Sequence, residues 1–470
     1  MSRRTESANP ANRTALPAAF ASVMGWAFDL FDLFLLLYVA GPVGKVIFPQ
    51  GSETFSLALV FVSFAVSILM RPGGAALFGS FADRLGRRRV MVVVLLGVGL
   101  STAAMGAVPA YATAGAIAPV IFLILRVIQG LFVGGVSAVT HTLGTESVPP
   151  RWRGLMSGLV GGGGAGIGAA MASIAYIVIG QIFPGERFNE VGWRWMFATG
   201  LLGALLSFFV LRKVEESPVW LETQARAAAA PKAQQLTLKQ LLRGPLGVVT
   251  LVNIVIAAGG GAQYYLTSGF LPTYLGVVTK IPTTERGWVL LSASVLSVVG
   301  ATLAGELSER WGRRRTMLVV GAVNLVAIPT LLIVLARIPS SSVWTAVLLS
   351  SLIAFLANAV YAPVLIFLNE RYPTAIRARG TAISWNTGFM LGGLLPTFVT
   401  LASPTTADIP SRLVVFVVAS VLVFLVAVWR APETRGRIEE EERQAVADLA
   451  RQAEPDPAGP ESERPAGPDR

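Results

Sequence analysis

The 470-residue chain is 53% hydrophobic and 14% charged, with a mean hydropathy of +0.63, which excludes a soluble globular protein of this length. It contains no cysteine and a single histidine, His141, so disulfides, thiol catalysis and the common zinc arrangements are excluded as well. The net charge of +11 is explained by membrane topology and anionic inner-leaflet lipid, with no need for a nucleic-acid partner.

A membrane-crossing helix needs about 20 mostly apolar residues. Twelve such stretches follow one another, at 18–41, 54–78, 89–110, 116–143, 155–182, 193–211, 246–275, 286–307, 315–336, 343–368, 380–402 and 411–429. The predicted fold is all-α and integral to the membrane: twelve transmembrane helices in two pseudo-symmetric six-helix bundles. Residues 1–17 form an N-terminal tail, 18–211 the first bundle, 212–245 a polar linker punctuated by Pro218, Pro231 and Pro245, and 246–430 the second bundle. In the tail at 431–470, Glu439–Glu442 reads as a short solvated helix and the Pro/Gly/Ala/Glu-rich remainder as disordered. The first stretch is not a cleavable signal, because Asp29 and Asp32 interrupt its apolar centre. An even number of spans puts both termini on one side. Nineteen loop Lys and Arg residues fall on that side and seven on the other, which makes it cytoplasmic in an inner, multi-pass membrane protein.

The run GSFADRLGRRR at 79–89 recurs as GELSERWGRRR at 305–315, shifted by 226 positions. Duplication on this scale is a common construction of secondary transporters, with the substrate site between the halves near the bilayer midplane. A second repeated element, TESVPPRWRG and LNERYPTAIRARG, places Glu146 and Glu370 at one helix end and Arg153 and Arg379 in the loop that follows. With Asp83, Arg84, Glu309 and Arg310, these charges are expected to form inter-helix ion pairs on the inner face, a gate that holds one conformation and releases in the other. The plainer alternative is that the arginines serve topology alone.

Ionisable groups inside a hydrocarbon span are costly and need a partner or a function. Asp29, Asp32, Arg71 and Arg126 are such groups, and a shift of 226 lands on Val255, Ala258, Ser297 and Leu352. A scaffold role would be duplicated, so the asymmetry points to chemistry. Asp29 and Asp32 share a helical face near the middle of the first span. Burial disfavours a carboxylate's charge and a neighbouring Arg favours it. A movement that changes an Asp–Arg separation therefore loads and unloads a proton. Asp32 is the expected proton carrier, Arg126 its modulator and Asp29 a partner in the titration. A static ion pair is the competing account. Arg71, about 12 Å from its helix end, either snorkels to the interface or attracts an anion.

In the seventh span, Gly259–Gly261 loosen the helix and Gln263, Tyr264 and Tyr265 offer hydrogen-bond donors. Asn253, Asn358, Tyr361, Trp385 and Asn386 are polar or aromatic positions in spans seven, ten and eleven, each read more simply as a helix–helix contact, with Tyr361 and Asn386 kept as further substrate-binding candidates. His141 reads as a packed polar residue, and Gly161–Gly164, Gly166 and Gly168 as a close-packing face. No Walker loop and no nucleophile–base set is present, so an enzyme is not expected; no cofactor is needed, and uphill work draws on an ion gradient or another solute, a proton gradient on the reading of Asp32 as proton carrier.

RVIQGLFVGG at 126–135, the ESP-x-W run at 216–220, PETRG at 432–436 and the duplicated loop motif resemble the signatures of the major facilitator superfamily. LMRPGGAALFGSFADRLGRRR resembles its metabolite:proton symporters, and GWAFDLFDLFLL resembles the sialate/monocarboxylate and aromatic-acid:proton symporters. The resemblance covers about residues 18–436. It implies alternating access, with a first-helix acid and a fourth-helix arginine as the proton-coupling device. Many relatives continue RVIQGLFVGG with Glu where this chain has Val136, so any role of that Glu does not transfer. The expected function is proton-coupled import of a small organic acid by a monomer. The alternatives are a sugar or polyol:proton symporter, a drug:proton antiporter (disfavoured because the fifth span lacks the Gly-Pro motif), and a non-transporting membrane sensor.

Overall fold

The computed structural model describes residues 10–49, 51–148, 163–216, 221, 244–373 and 377–436. Among them, eleven helices are long and apolar enough to cross a membrane. In chain order they are α1 (Pro10–Tyr38), α2 (Glu53–Leu85), α3 (Arg87–Gly106), α4 (Ile117–Glu146), α5 (Gly164–Ile182), α6 (Phe188–Lys213), α7 (Gly244–Val277), α8 (Thr283–Trp311), α9 (Arg313–Arg337) and α10 (Val343–Glu370). The eleventh predicted span, α11, is not one helix but two pieces, Arg377–Gly393 and Leu395–Leu401. Pro396 cannot supply an amide to a continuous ladder, so the helix breaks at Leu394. The last span is α12 (Thr406–Arg430).

The helix pairing repeats as the sequence does. In the first half α1 packs on α5, α2 on α4 and α3 on α6; in the second, α7 packs on α11, α8 on α10 and α9 on α12. The two copies of the duplicated run adopt one geometry. Gly86 and Gly312 carry φ of 99° and 98°, a left-handed turn that only glycine takes without strain, and each closes one helix and opens the next. Across the halves, α5 packs on α8, α2 on α11 and α1 on the far end of α7.

Contacts between spans rest on small residues, since lipid gives no hydrophobic drive for helices to associate. Gly166 meets Val298 across the halves and Gly168 meets the α1 backbone at Ala27 and Phe31, the packing role expected of that glycine face. Gly259–Gly261 do not loosen α7; they lie in continuous helix and admit Phe424 of α12 and Phe389 of α11. The irregular turn comes later, at Tyr265–Gly269, as a single π-helical turn. The tightest approach to another helix's backbone joins α2 to α4, where a Cβ on Gly134 would lie 2.1 Å from the Arg71 carbonyl oxygen and one on Gly74 2.0 Å from that of Leu131. Gly134→Ala is therefore expected to force α2 from α4 and lower the Tm of the purified protein, at an overpacking cost of about 1–3 kcal/mol. Gly73→Ala, which would meet nothing nearer than Leu131 Cδ2 at 3.9 Å, is the matched control and should leave Tm unchanged.

Candidate functional site

The four intramembrane charges come together on α1, α2 and α4, in two linked sets. Arg71 Nη2 stands 3.1 Å from Asp29 Oδ1, with side-chain exposures of 17% and 1%. The approach is at ion-pair distance without hydrogen-bond alignment: among the described residues, Asp29 Oδ1 accepts and Arg71 Nε donates no hydrogen bond. Arg71 therefore does not snorkel to the interface; it points inward to an acid.

Asp32 is held differently. Its Oδ1 accepts from the Thr102 hydroxyl of α3 and, at 2.6 Å, from Gln129 Nε2 of α4. Gln129 Nε2 also lies 2.8 Å from Thr102 Oγ1. Arg126 does not touch Asp32; its Nη1 donates to Gln129 Oε1, its Nε donates to the Ser63 carbonyl at 3.3 Å, and its guanidinium lies 5.9 Å from the Phe64 ring centroid. The expected Asp32–Arg126 pair is thus corrected to a relay through Gln129. Both donors to Asp32 converge on Oδ1, and Oδ2 has no protein partner among the described residues. A small void lined by Asp29, Asp32, Phe28, Val98 and Thr102 borders the two carboxylates. Sequence reasoning missed Thr102 and Gln129. Gln129 lies three residues beyond Arg126 and so on its face, which was the available signal.

Facing this charged half is an aromatic one. Tyr264 stacks on Tyr361 with centroids 5.5 Å apart, Tyr265 meets Phe389 at 6.1 Å, Tyr361 meets Trp385 at 5.4 Å, and Trp385 stacks on Phe389 at 4.2 Å. Tyr264 and Tyr265 are buried, whereas Tyr361, Trp385 and Phe389 are half-buried. Arg71 is within electrostatic reach of Tyr264 and Tyr265. Asn386 is next to Trp385 but donates to its own helix, to Ala382 O at 2.9 Å. Gln263 is not in this group: fully buried, it donates to Gly259 O at 3.3 Å and accepts from Asn324 Nδ2 at 3.3 Å, inside the second bundle.

The hydrogen bonds and ring pairs that join the halves gather toward the face opposite the duplicated arginines. Thr54 donates to the Pro404 carbonyl at 3.3 Å, Arg286 Nη1 donates to the Tyr176 hydroxyl at 3.1 Å, Phe61 stacks on Phe270, and Phe64 meets Tyr265. On the arginine-rich face the described charges pair within a half. Glu370 of α10 lies 3.2 Å and Glu309 2.7 Å from Arg313 Nη2, while Arg310 pairs with Glu306 of its own helix at 2.9 Å. Arg313, not Arg310, is the hub of the inter-helix pairing. Arg84 is exposed. The side chains of Asp83, Glu146 and Arg379, and all of Arg153, lie outside the described residues.

Two further acids on that face carry the repeat in another form. Glu216 accepts from the backbone N–H groups of Arg87 and Arg88 at the start of α3, and Glu433 from those of Arg313 and Arg314 at the start of α9. Each carboxylate satisfies helix-start donors where the helix dipole favours an anion. Burial alone would raise the Glu433 carboxyl, but backbone donors of Thr434, Arg435, Arg313 and Arg314 hold it below the usual range. Residues 431–436, expected to begin a disordered tail, are instead docked here, and Thr434 Oγ1 donates to Glu370 at 2.6 Å. ESP-x-W and PETRG marked these acids in the sequence, but without the partner helix they gave no role.

The Major Facilitator Superfamily model matches residues 15–284 and 254–462. The inner membrane metabolite transport protein YhjE of Escherichia coli (strain K12) is 30% identical over 389 residues, 81% of this chain and 86% of that protein. The proline/betaine transporter of Salmonella typhimurium (strain LT2) is 24% identical over 443 residues, 92% of this chain and 86% of that protein. The crystal structure of a D-xylose-proton symporter superposes with a TM-score of 0.72 at 20% identity, over 90% of this chain and 99% of that one, a likeness of fold alone.

Proposed function

This chain belongs to the major facilitator superfamily of membrane transporters, which are not enzymes, and on that premise we propose that it is a proton-coupled symporter importing a small organic acid by alternating access. The observation that carries this reading is the Asp29–Arg71 pair, a buried acid and a partly open arginine whose alignment leaves both with hydrogen-bonding capacity to spare. A substrate carboxylate that engages the Arg71 fork competes with Asp29 for its counter-charge. A buried carboxylate left without a cation is compensated by a proton, so substrate binding and proton uptake become one event. Asp32 is the second site of that titration, sensing Arg126 through the Gln129 amide.

Asp29, Asp32, Arg71 and Arg126 sum to zero charge. For a substrate whose only charge is its carboxylate, one proton keeps the loaded site neutral and the transport cycle electroneutral. The aromatic residues Tyr264, Tyr265 and Tyr361, with Asn386, form the facing wall of the site. Gln263 serves α7–α9 packing instead. No cofactor is required beyond the proton gradient, and one copy of the chain suffices.

The positive-inside count favours a cytoplasmic arginine-rich face and cytoplasmic termini, in an inner membrane like that named for YhjE. The contacts that join the halves then close the outer side, and the arrangement is inward-facing. Residues 18–211 and 246–430 act as the two rocking units, with 212–245 between them and tails at 1–17 and 431–470. The docked acids Glu216 and Glu433 fasten the inner ends of each bundle, and the Arg313–Glu370 pair moves with the second bundle as the halves rock.

The names of the relatives are compatible with a carboxylate: proline and betaine each carry one. The test is a counterflow screen of organic acids by the purified protein in proteoliposomes at two pH values. Accumulation of at least one carboxylate that rises with an inward proton gradient is the expected result. Uptake confined to uncharged sugars, or indifferent to the gradient, would overturn the assignment.

A further inference from the structure

At the arginine-rich end of the second bundle, the acids are already committed. Glu433 is turned to the backbone N–H groups that open α9, Glu306 to Arg310, and Glu309 and Glu370 to Arg313. Arg314 donates to the carbonyls that close α12, those of Val428 at 3.4 Å and Trp429 at 2.6 Å, and so ties the start of α9 to the end of α12. That contact brings Arg315 and Arg430 to one edge. Both are exposed, and neither has an acid within ion-pair distance among the described residues. The Arg315 guanidinium lies 5.8 Å from the Trp311 ring centroid. Trp311 and Trp429 are 51% and 64% exposed, and their indole N–H groups donate to no protein acceptor among the described residues.

The same edge ends two apolar stripes that face the lipid. Arg315 continues, at helical spacing, the exposed Val319, Val323 and Val326 of α9, and Trp429 continues Leu422 and Val426 of α12. A stripe that passes from aliphatic residues to indoles and guanidinium groups crosses there from hydrocarbon to headgroups. Along the α9 stripe an apolar groove of about 820 Å³ opens between α9 and α10, lined by Val323, Val326, Leu352 and Phe355. Its α9 wall lies about 12–17 Å along the helix from Arg315. One leaflet of hydrocarbon is about 15 Å thick, so a lipid tail reaches the groove while its phosphate stands at Arg315.

We propose that this edge binds one anionic phospholipid, with its phosphate between Arg315 and Arg430, its headgroup against the Trp311 and Trp429 indoles, and one acyl chain in the α9–α10 groove. An anionic headgroup fits better than a zwitterionic one, because no acid at this edge is left to receive a headgroup ammonium. The first half repeats the cations without the indoles. Leu85 and Arg89 stand 226 positions before Trp311 and Arg315, and α6 ends in Leu211, Arg212 and Lys213. Arg88 donates to the Leu211 carbonyl much as Arg314 does to those of α12. The tight site therefore belongs to the second half alone. It concerns the bilayer as partner and holds whatever the substrate.

Native mass spectrometry of the full-length protein, delipidated in detergent and titrated with phosphatidylglycerol or phosphatidylcholine of the same acyl chains, counts bound lipids one by one. The first phosphatidylglycerol is expected to bind on the order of tenfold more tightly than the first phosphatidylcholine, as two arginines at a membrane surface imply. Arg315→Gln/Arg430→Gln should erase that preference, and Arg89→Gln/Arg212→Gln should keep it. Ala322→Phe, which fills the groove from its exposed side, should weaken both lipids. Glycerophosphoglycerol, the same headgroup without tails, should not displace the bound lipid. All five substituted residues are exposed, so the variants should keep the Tm of the natural protein in detergent alone. Added phosphatidylglycerol should then raise the Tm of the natural protein and leave that of Arg315→Gln/Arg430→Gln where it was. Equal binding of the two lipids, or an undiminished preference in Arg315→Gln/Arg430→Gln, overturns the site. So does loss of the preference in Arg89→Gln/Arg212→Gln instead. Displacement by glycerophosphoglycerol, or unchanged binding in Ala322→Phe, overturns the lipid as occupant.

Discussion

Asp32→Asn is expected to abolish accumulation driven by a pH gradient while leaving equal-pH exchange of substrate in place. One coupled proton sustains about a tenfold substrate gradient for each pH unit, because a tenfold ratio and one unit of pH both correspond to about 1.4 kcal/mol. The variant should fall to a ratio of about one at the same imposed gradient. Asparagine is the informative replacement because its carbonyl oxygen can accept from Thr102 and Gln129 where Asp32 Oδ1 does now, so the relay to Arg126 keeps its shape. What is removed is the oxygen that can take a proton. Gradient uptake in proteoliposomes measures the first quantity and counterflow the second. A variant that still concentrates substrate tenfold would show that Asp32 is a packing acid, and a non-transporting sensor would be left with no phenotype in either assay.

The fold was legible to the extent that it is written locally. The run at 79–89 and its copy at 305–315 predicted duplicated halves, and the two left-handed glycines, Gly86 and Gly312, repeat to within a degree of φ. Apolar length placed the spans but not the break in the eleventh, which Pro396 imposes. The candidate site was legible as a set of residues and not as a set of partners. Distance along α2 left Arg71 equally able to snorkel or to face inward, because helical depth does not fix rotation against a neighbour. That rotation is set by the backbone contact of α2 with α4 at Gly74 and Gly134. The same limit hid Gln129, an uncharged residue whose importance comes only from lying between Arg126 and Asp32. Gln263 failed in the other direction: a polar residue beside two tyrosines in sequence, it points away from them in space to Asn324.

Arg71 and Asp29 separate substrate binding from coupling most cleanly, because their three variants should fail in three different ways. Arg71→Gln leaves the Asp29 carboxylate buried without a counter-charge, a loss that costs about 3–5 kcal/mol when one partner of a buried pair is removed. A lowered Tm and absent carboxylate binding are expected together, and the single variant cannot tell one cause from the other. Asp29→Asn/Arg71→Gln removes the stranded charge along with its partner. Its Tm should recover toward that of the natural protein while carboxylate binding stays weaker by about a hundredfold, the order expected for a lost charge-assisted hydrogen bond. Asp29→Asn alone is the decisive member. With no internal acid competing for the guanidinium, substrate should bind at least as tightly as in the natural protein, and its affinity should no longer depend on a proton at residue 29. Isothermal titration at two pH values gives affinity and proton uptake from the same samples. If Asp29→Asn binds as weakly as the double variant, the acid itself contacts substrate and the competition for Arg71 is not the coupling step. If it binds tightly and takes up fewer protons, a single arginine shared between an internal and an external carboxylate is the physical link between solute and proton.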